Sequence, residues 1–97
     1  MKHALLIPLL ALALLAAAPA RAECYADYKA KQDTPPLRLH YGVARLPDTA
    51  CNPQAASRQL APRLAREGWT LLNILSIFGP EGLKQRKDSA GPYFLRY

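Results

Sequence analysis

The eleven residues from Gly68 to Phe78, Gly-Trp-Thr-Leu-Leu-Asn-Ile-Leu-Ser-Ile-Phe, constrain the fold more than any other stretch. They form the most apolar run outside the N-terminus. The run is too short for a bundle helix and is stopped by Gly79-Pro80, so it reads as a buried strand that the rest of the chain must cover. One face of that strand carries Trp69, Leu71, Asn73, Leu75 and Ile77. The other carries Thr70, Leu72, Ile74, Ser76 and Phe78. Both faces are largely apolar, whereas a sheet covered by one helix shows a wet face. Trp69, Leu71, Leu75, Ile77 and Phe78 are therefore expected in a core or at an interface. Cover for the second face is expected from the N-terminal disulfide-linked segment, the basic loop after Pro80, or a second copy of the chain.

The N-terminus reads as a cleavable secretory signal peptide, residues 1–22. Lys2 and His3 make a basic start, Ala4 to Ala18 is rich in Leu and Ala, and Ala20-Arg21-Ala22 places small residues where a signal peptidase reads them. The apolar run falls short of the roughly 20 residues of a membrane-spanning helix. Glu23 before Cys24 disfavours a lipid anchor at that cysteine. Of 97 residues this leaves 75, Glu23 to Tyr97, as a single small domain in which a core alone is marginal. The expected location is periplasmic or secreted, and the expected state after cleavage is not an integral membrane protein.

Both cysteines, Cys24 and Cys51, survive cleavage and meet an oxidising compartment. They lack the C-x-x-C spacing and histidine companions of a redox or metal pair, which favours a structural disulfide. In the chain-entropy description such a bridge is worth about 3–4 kcal/mol.

Within Tyr25–Gln32, Tyr28, Ala30 and Gln32 alternate with Lys29 and Lys31. That suggests an edge strand with outward lysines, although a helical turn also fits. Asp33-Thr34-Pro35-Pro36 breaks the chain. Leu37–Leu46 follows as a strand, with Leu37, Leu39, Tyr41 and Val43 on one face and Arg38, His40 and Gly42 on the other, polar face. Paired as a hairpin, the two segments bring Cys24 near the far end of the second strand, within reach of Cys51.

Asn52 caps a helix with Pro53 at its first position. It is expected to run to about Glu67 and end at Gly68, with Ala56, Leu60, Ala61 and Leu64 as its apolar stripe. Pro62 falls opposite that stripe and predicts a solvent-side kink. Leu83–Ala90 fits a short helix or an exposed loop, and its Lys84, Arg86 and Lys87 form a cluster suited to an anion. Tyr93–Tyr97 reads as a last strand with Tyr93, Leu95 and Tyr97 on one face. Outer-membrane barrels end in such a strand, but a barrel needs at least about eight strands, which this length cannot supply.

Glu67-Gly68-Trp69-Thr70-Leu71 after an amphipathic helix, a final Tyr93-Phe94-Leu95-Arg96 and an early Tyr28-Lys29 resemble a family of small bacterial domains of unknown function. That family has a strand–helix–strand–strand plan marked by Gly-Trp-x-Leu. The likeness spans Asn52 to Tyr97 best; it implies a fold and carries over no catalytic residues, none being established for the family. The signal peptide, the two cysteines and the basic loop depart from its simplest members.

The expectation is thus an α+β fold: a small three- to four-stranded, mainly antiparallel sheet with one helix packed on one face. Catalytic machinery has little to draw on. His40 is the one histidine of the mature chain, the serines lack a nucleophile setting, and the carboxylates are scattered. No spacing proposes a metal site or a cofactor, and no phosphate-binding loop is present. Without Lys2 and Arg21, 11 basic side chains face 7 acidic ones, a net charge of +4. That charge suits an anionic surface or polymer, with nucleic acid excluded by the compartment, or serves solubility alone. The functional expectation is a non-enzymatic binding or interaction module that assembles as a homodimer or takes an anionic partner. The alternative is a small periplasmic enzyme or enzyme subunit using His40. Intact-mass measurement of the exported protein should give a chain that starts at Glu23 and gains two hydrogens on reduction. A mass that includes residues 1–22, or one unchanged by reductant, contradicts this reading.

Overall fold

The computed structural model describes residues 23–97, so the signal-peptide expectation lies outside the described residues. It shows a three-stranded antiparallel sheet with helices packed against it, in the order β1 (Cys24–Gln32), β2 (Arg38–Leu46), α1 (Pro53–Ala65), β3 (Thr70–Phe78) and α2 (Leu83–Ala90), with short 3₁₀ turns before α1 and on either side of α2. The α+β expectation holds. The sheet order is β2-β1-β3.

That order corrects the opening expectation. The Trp69–Phe78 strand, read as buried, lies at an edge as β3 and is half exposed, and the Tyr25–Gln32 segment, read as an edge strand or a helical turn, is the central strand. Alanines are the reason. Ala26 and Ala30 read as weak strand formers, yet both are fully buried on the face that receives α1. The bulk on that face comes from Tyr28, with Leu60 and Leu64 of α1 and Trp69 packed around it.

The hairpin forms as expected, in a register running from Cys24 opposite Leu46 to Gln32 opposite Arg38. A turn containing a cis Pro35–Pro36 peptide joins its strands. Cys24 and Cys51 are bridged, with their Cα atoms 5.9 Å apart. The bridge joins the start of β1 to the residue before the α1 cap, in a second cluster that includes Ala26, Leu46 and Ala56.

Helix α1 follows its sequence signals. Asn52 Oδ1 accepts from the Ala55 N–H at 2.9 Å, and Pro53 opens the helix. Its end closes around Gly68, at φ 81°. The Gly68 N–H donates to Ala65 O at 3.0 Å, and the Trp69 N–H donates to Leu64 O at 3.0 Å. Leu64 and Trp69 share the core across this closure, the apolar contact that usually accompanies a glycine stop. Pro62 lies inside the helix on the exposed side, as its position predicts.

Strand β3 does not keep a period of two. Its pairing with β1 shifts register twice, so that Ser76 faces Asp27 but Ile74 faces Tyr28, and Asn73 faces Lys29 but Leu71 faces Ala30. Leu75 and Leu72 fall in the two shifts, as extra residues in bulges. The core therefore receives Leu71, Ile74 and Ile77, a spacing of three, while Leu72 and Leu75 are exposed. This is why both faces read as apolar in sequence.

The second face is covered in part by α2, formed by the basic segment after Pro80. The C-terminal segment is not the expected strand. Phe94 makes a single parallel bridge to Val43, and the Leu95 N–H donates to Val43 O at 2.8 Å. Leu95 takes φ 57°, which breaks the alternation: it is exposed, whereas Tyr93 and Tyr97 pack inward.

Gly42 has a specific steric role. Tyr28 pairs with it across the hairpin, and a β-carbon there would lie 2.8 Å from Tyr28 Cε1 and closer still to the hydroxyl. Gly42→Ala should lower stability by about 1–3 kcal/mol in urea denaturation, as overpacking does in a filled core. A variant as stable as the parent would refute the contact.

Candidate functional site

His40 is not on a polar face. The period of two along β2 is as expected, but the His40, Gly42, Ala44 and Leu46 side turns toward the core under α1. His40 is 7 % exposed. Its Nε2 and the Tyr28 hydroxyl share a hydrogen bond of 2.9 Å. Tyr93 stacks on the imidazole with centroids 3.8 Å apart, and Trp69 meets it edge-on at 4.3 Å. Tyr97 lies parallel at 6.0 Å. Nδ1 is buried with no partner among the described residues.

This surrounding suits a neutral imidazole. Burial, and then the nearby Arg96 guanidinium, push His40 down to about 4. Burial pushes the Tyr28 phenol up, with Tyr97 and Tyr93 adding to it. Among the described residues the ring's polar partner is the Tyr28 hydroxyl, and no carboxylate contact is seen.

On the opposite face, Asp27 is almost fully buried and collects three donors. Ser76 Oγ donates at 2.6 Å, the Tyr41 hydroxyl at 2.9 Å and Arg86 Nε at 3.1 Å. Burial alone would raise its carboxyl; the bonds from Ser76, Tyr41 and Arg86 outweigh that and hold it below the ordinary range. Burial and the Asp27 bond push the Tyr41 phenol up to about 12. Arg86 also donates from Nη1 to Gly82 O at 2.8 Å, and its guanidinium lies 3.8 Å above the Phe78 ring. Of the cluster singled out in sequence, Arg86 is thus turned inward to fasten α2 to the sheet, while Lys84 and Lys87 are exposed. Phe78 belongs to this clasp and stacks on Tyr25. Trp69, Leu71 and Ile77 join the core, and Leu75 stands in solvent.

The clasp ends partway along the sheet. Toward the hairpin turn the second face is bare, and a shallow hollow of about 240 Å³ is lined by Lys29, Leu39, His40, Tyr41 and Leu72. Leu37 and Leu39 are 62 % and 66 % exposed, with Leu72 at 47 %. Lys31 pairs with Asp33 at 3.3 Å, whereas Lys29 has no ion pair among the described residues. No carboxylate lines the hollow.

This surface was readable in principle. A hairpin about the proline break pairs Lys29 with Tyr41 and Lys31 with Leu39, which sets the lysines and the apolar residues on one face. The bulge that adds Leu72 carries no sequence signal. Among the described residues no cluster of three metal-ligating side chains occurs, and no helix is long and apolar enough to cross a membrane. Comparison with known proteins finds no matching family model, no matching curated protein and no matching solved structure.

The depressed histidine gives a signed expectation. The unfolded chain binds a proton at His40 near pH 6.5, whereas the folded chain binds it only near pH 4. Acidification therefore favours unfolding from about pH 6.5 downward and levels off below about pH 4, a loss on the order of 3 kcal/mol. Urea titrations across that range should show the slope in the parent and a flatter profile in His40→Gln. Equal slopes in both would refute the assignment.

Proposed function

We propose that this chain is an exported, non-catalytic binding module that takes an anionic partner on the bare hairpin half of its sheet. The observation that carries the reading is Lys29, which has no ion pair among the described residues and stands among Leu39, Tyr41 and Leu72 with no carboxylate in the lining. An anion arriving there meets a charge already set in apolar surroundings, where its attraction is screened less than in open water. The disulfide fits an oxidising compartment. The engagement of His40 by Tyr28 and three further aromatic rings favours a packing role over catalysis. The same lysine weighs against self-pairing, since a symmetric contact through this patch brings like charges together without an acidic offset.

Two anionic probes test the reading: soluble dextran sulfate and vesicles containing an anionic phospholipid. The oxidised protein should bind at least one of them, more weakly as salt rises, and Lys29→Glu should reduce that binding several-fold. Binding to neither probe, or binding indifferent to Lys29→Glu, would overturn it.

A further inference from the structure

We infer that the anionic partner is the surface of an anionic lipid bilayer, which the hairpin end of the sheet meets with its leucines inserted and its basic groups among the head groups. This rests on the anionic-partner reading above. Leu37 and Leu39 are the two most exposed large apolar side chains among the described residues, and they flank Arg38 at the turn end of β2. Leu72 extends the apolar surface across the sheet to β3, and Lys29 stands between them on β1.

A hydrophilic polyanion would use Lys29 and leave three leucines in water. A bilayer uses both kinds of residue, because the acyl boundary takes up leucine side chains while Lys and Arg keep their charged ends at head-group level. Each basic residue near an anionic leaflet strengthens attachment roughly fivefold. One apolar contact alone holds only weakly, so the two kinds of contact are needed together. The inferred attachment is a peripheral one; among the described residues no helix is long and apolar enough to cross a membrane. Another basic surface, Arg63, Arg66 and Arg96 beside Tyr97, has the carboxylate of Glu67 in its lining.

The test is co-sedimentation of the oxidised, exported protein with phosphatidylcholine vesicles and with the same vesicles containing phosphatidylglycerol, beside a dextran sulfate titration. Binding is expected on the phosphatidylglycerol vesicles and not on phosphatidylcholine. It should fall roughly tenfold or more in Leu37→Ser/Leu39→Ser and several-fold in Lys29→Glu. Lys84→Glu/Lys87→Glu on α2 should leave it within about twofold of the parent. As a measurement that removes no apolar residue, Leu39→Trp should show blue-shifted emission on the anionic vesicles, over the constant signal of buried Trp69.

Dextran sulfate binding as tight as vesicle binding and untouched by the serine pair overturns the bilayer inference and leaves the anionic reading standing. So does an unshifted Leu39→Trp spectrum on vesicles that bind. Binding to neither anionic probe overturns both readings. Light scattering that shows a dimer dispersed by Leu39→Ser also overturns both, in favour of a second copy on this face.

Discussion

The Tyr28 hydroxyl meets His40 Nε2 at 2.9 Å from a ring that lies across the bare backbone of Gly42, and the architecture turns on that meeting. Tyr28 stands on the central strand, so its ring is shared by every element on the α1 side. Through His40 the contact extends to Tyr93 and Tyr97 and fixes the C-terminal segment. Through Trp69 it reaches the α1 stop and the start of β3. Aromatic pairs of this kind contribute about 0.5–1.5 kcal/mol each beyond their area. In a domain of this size a few such contacts are a large share of net stability. The disulfide secures the end of β1 that this cluster does not reach.

The two faces of β1 are organised by opposite means. The α1 side is closed by packing around Tyr28, whereas the α2 side is closed by polar satisfaction around Asp27. A buried carboxylate is costly unless its lone pairs are filled, and Ser76, Tyr41 and Arg86 fill them from three different elements. The geometry thereby sets where α2 can sit, because Arg86 must reach Asp27 while lying over Phe78. Helix α2 is too short and too polar to cover more than that neighbourhood, and the half of the sheet toward the hairpin turn stays bare. The proposed binding surface follows from the reach of one short helix.

Local signals in the sequence carried most of the fold. Asn52, Pro53 and Gly68 act through bonds within a few residues, and their roles in sequence and structure agree. The proline break, likewise local, set the hairpin and with it the reach of Cys24 to Cys51. Strand order was not legible, because an alanine-rich central strand looks weak in sequence while a bulged leucine-rich edge looks strong. The bulges hid the period of β3, so the surplus apolar surface read as a buried strand with two faces. His40 was misplaced for a related reason. Beside Arg38 it reads as polar, yet its side of β2 faces the core once Tyr28 supplies the partner for its nitrogen. Lys29, Leu39 and Tyr41 were visible singly, and only their pairing across the hairpin makes a surface of them.

The edges of the sheet explain why that surface is a face. Along β2, Val43 already accepts a bond from Leu95, and the C-terminal segment lies against the strand there. Along β3, two bulges interrupt the ladder within nine residues, which spoils the regular spacing an added strand needs. A regular added ladder is thus interrupted at Val43 on one side and at the bulges on the other. A partner reaching this sheet is left with side chains, and on the bare half those are leucines, a tyrosine and lysines. The proposed surface would select by charge and apolar depth, which is the discrimination an anionic bilayer offers and a strand from another protein does not.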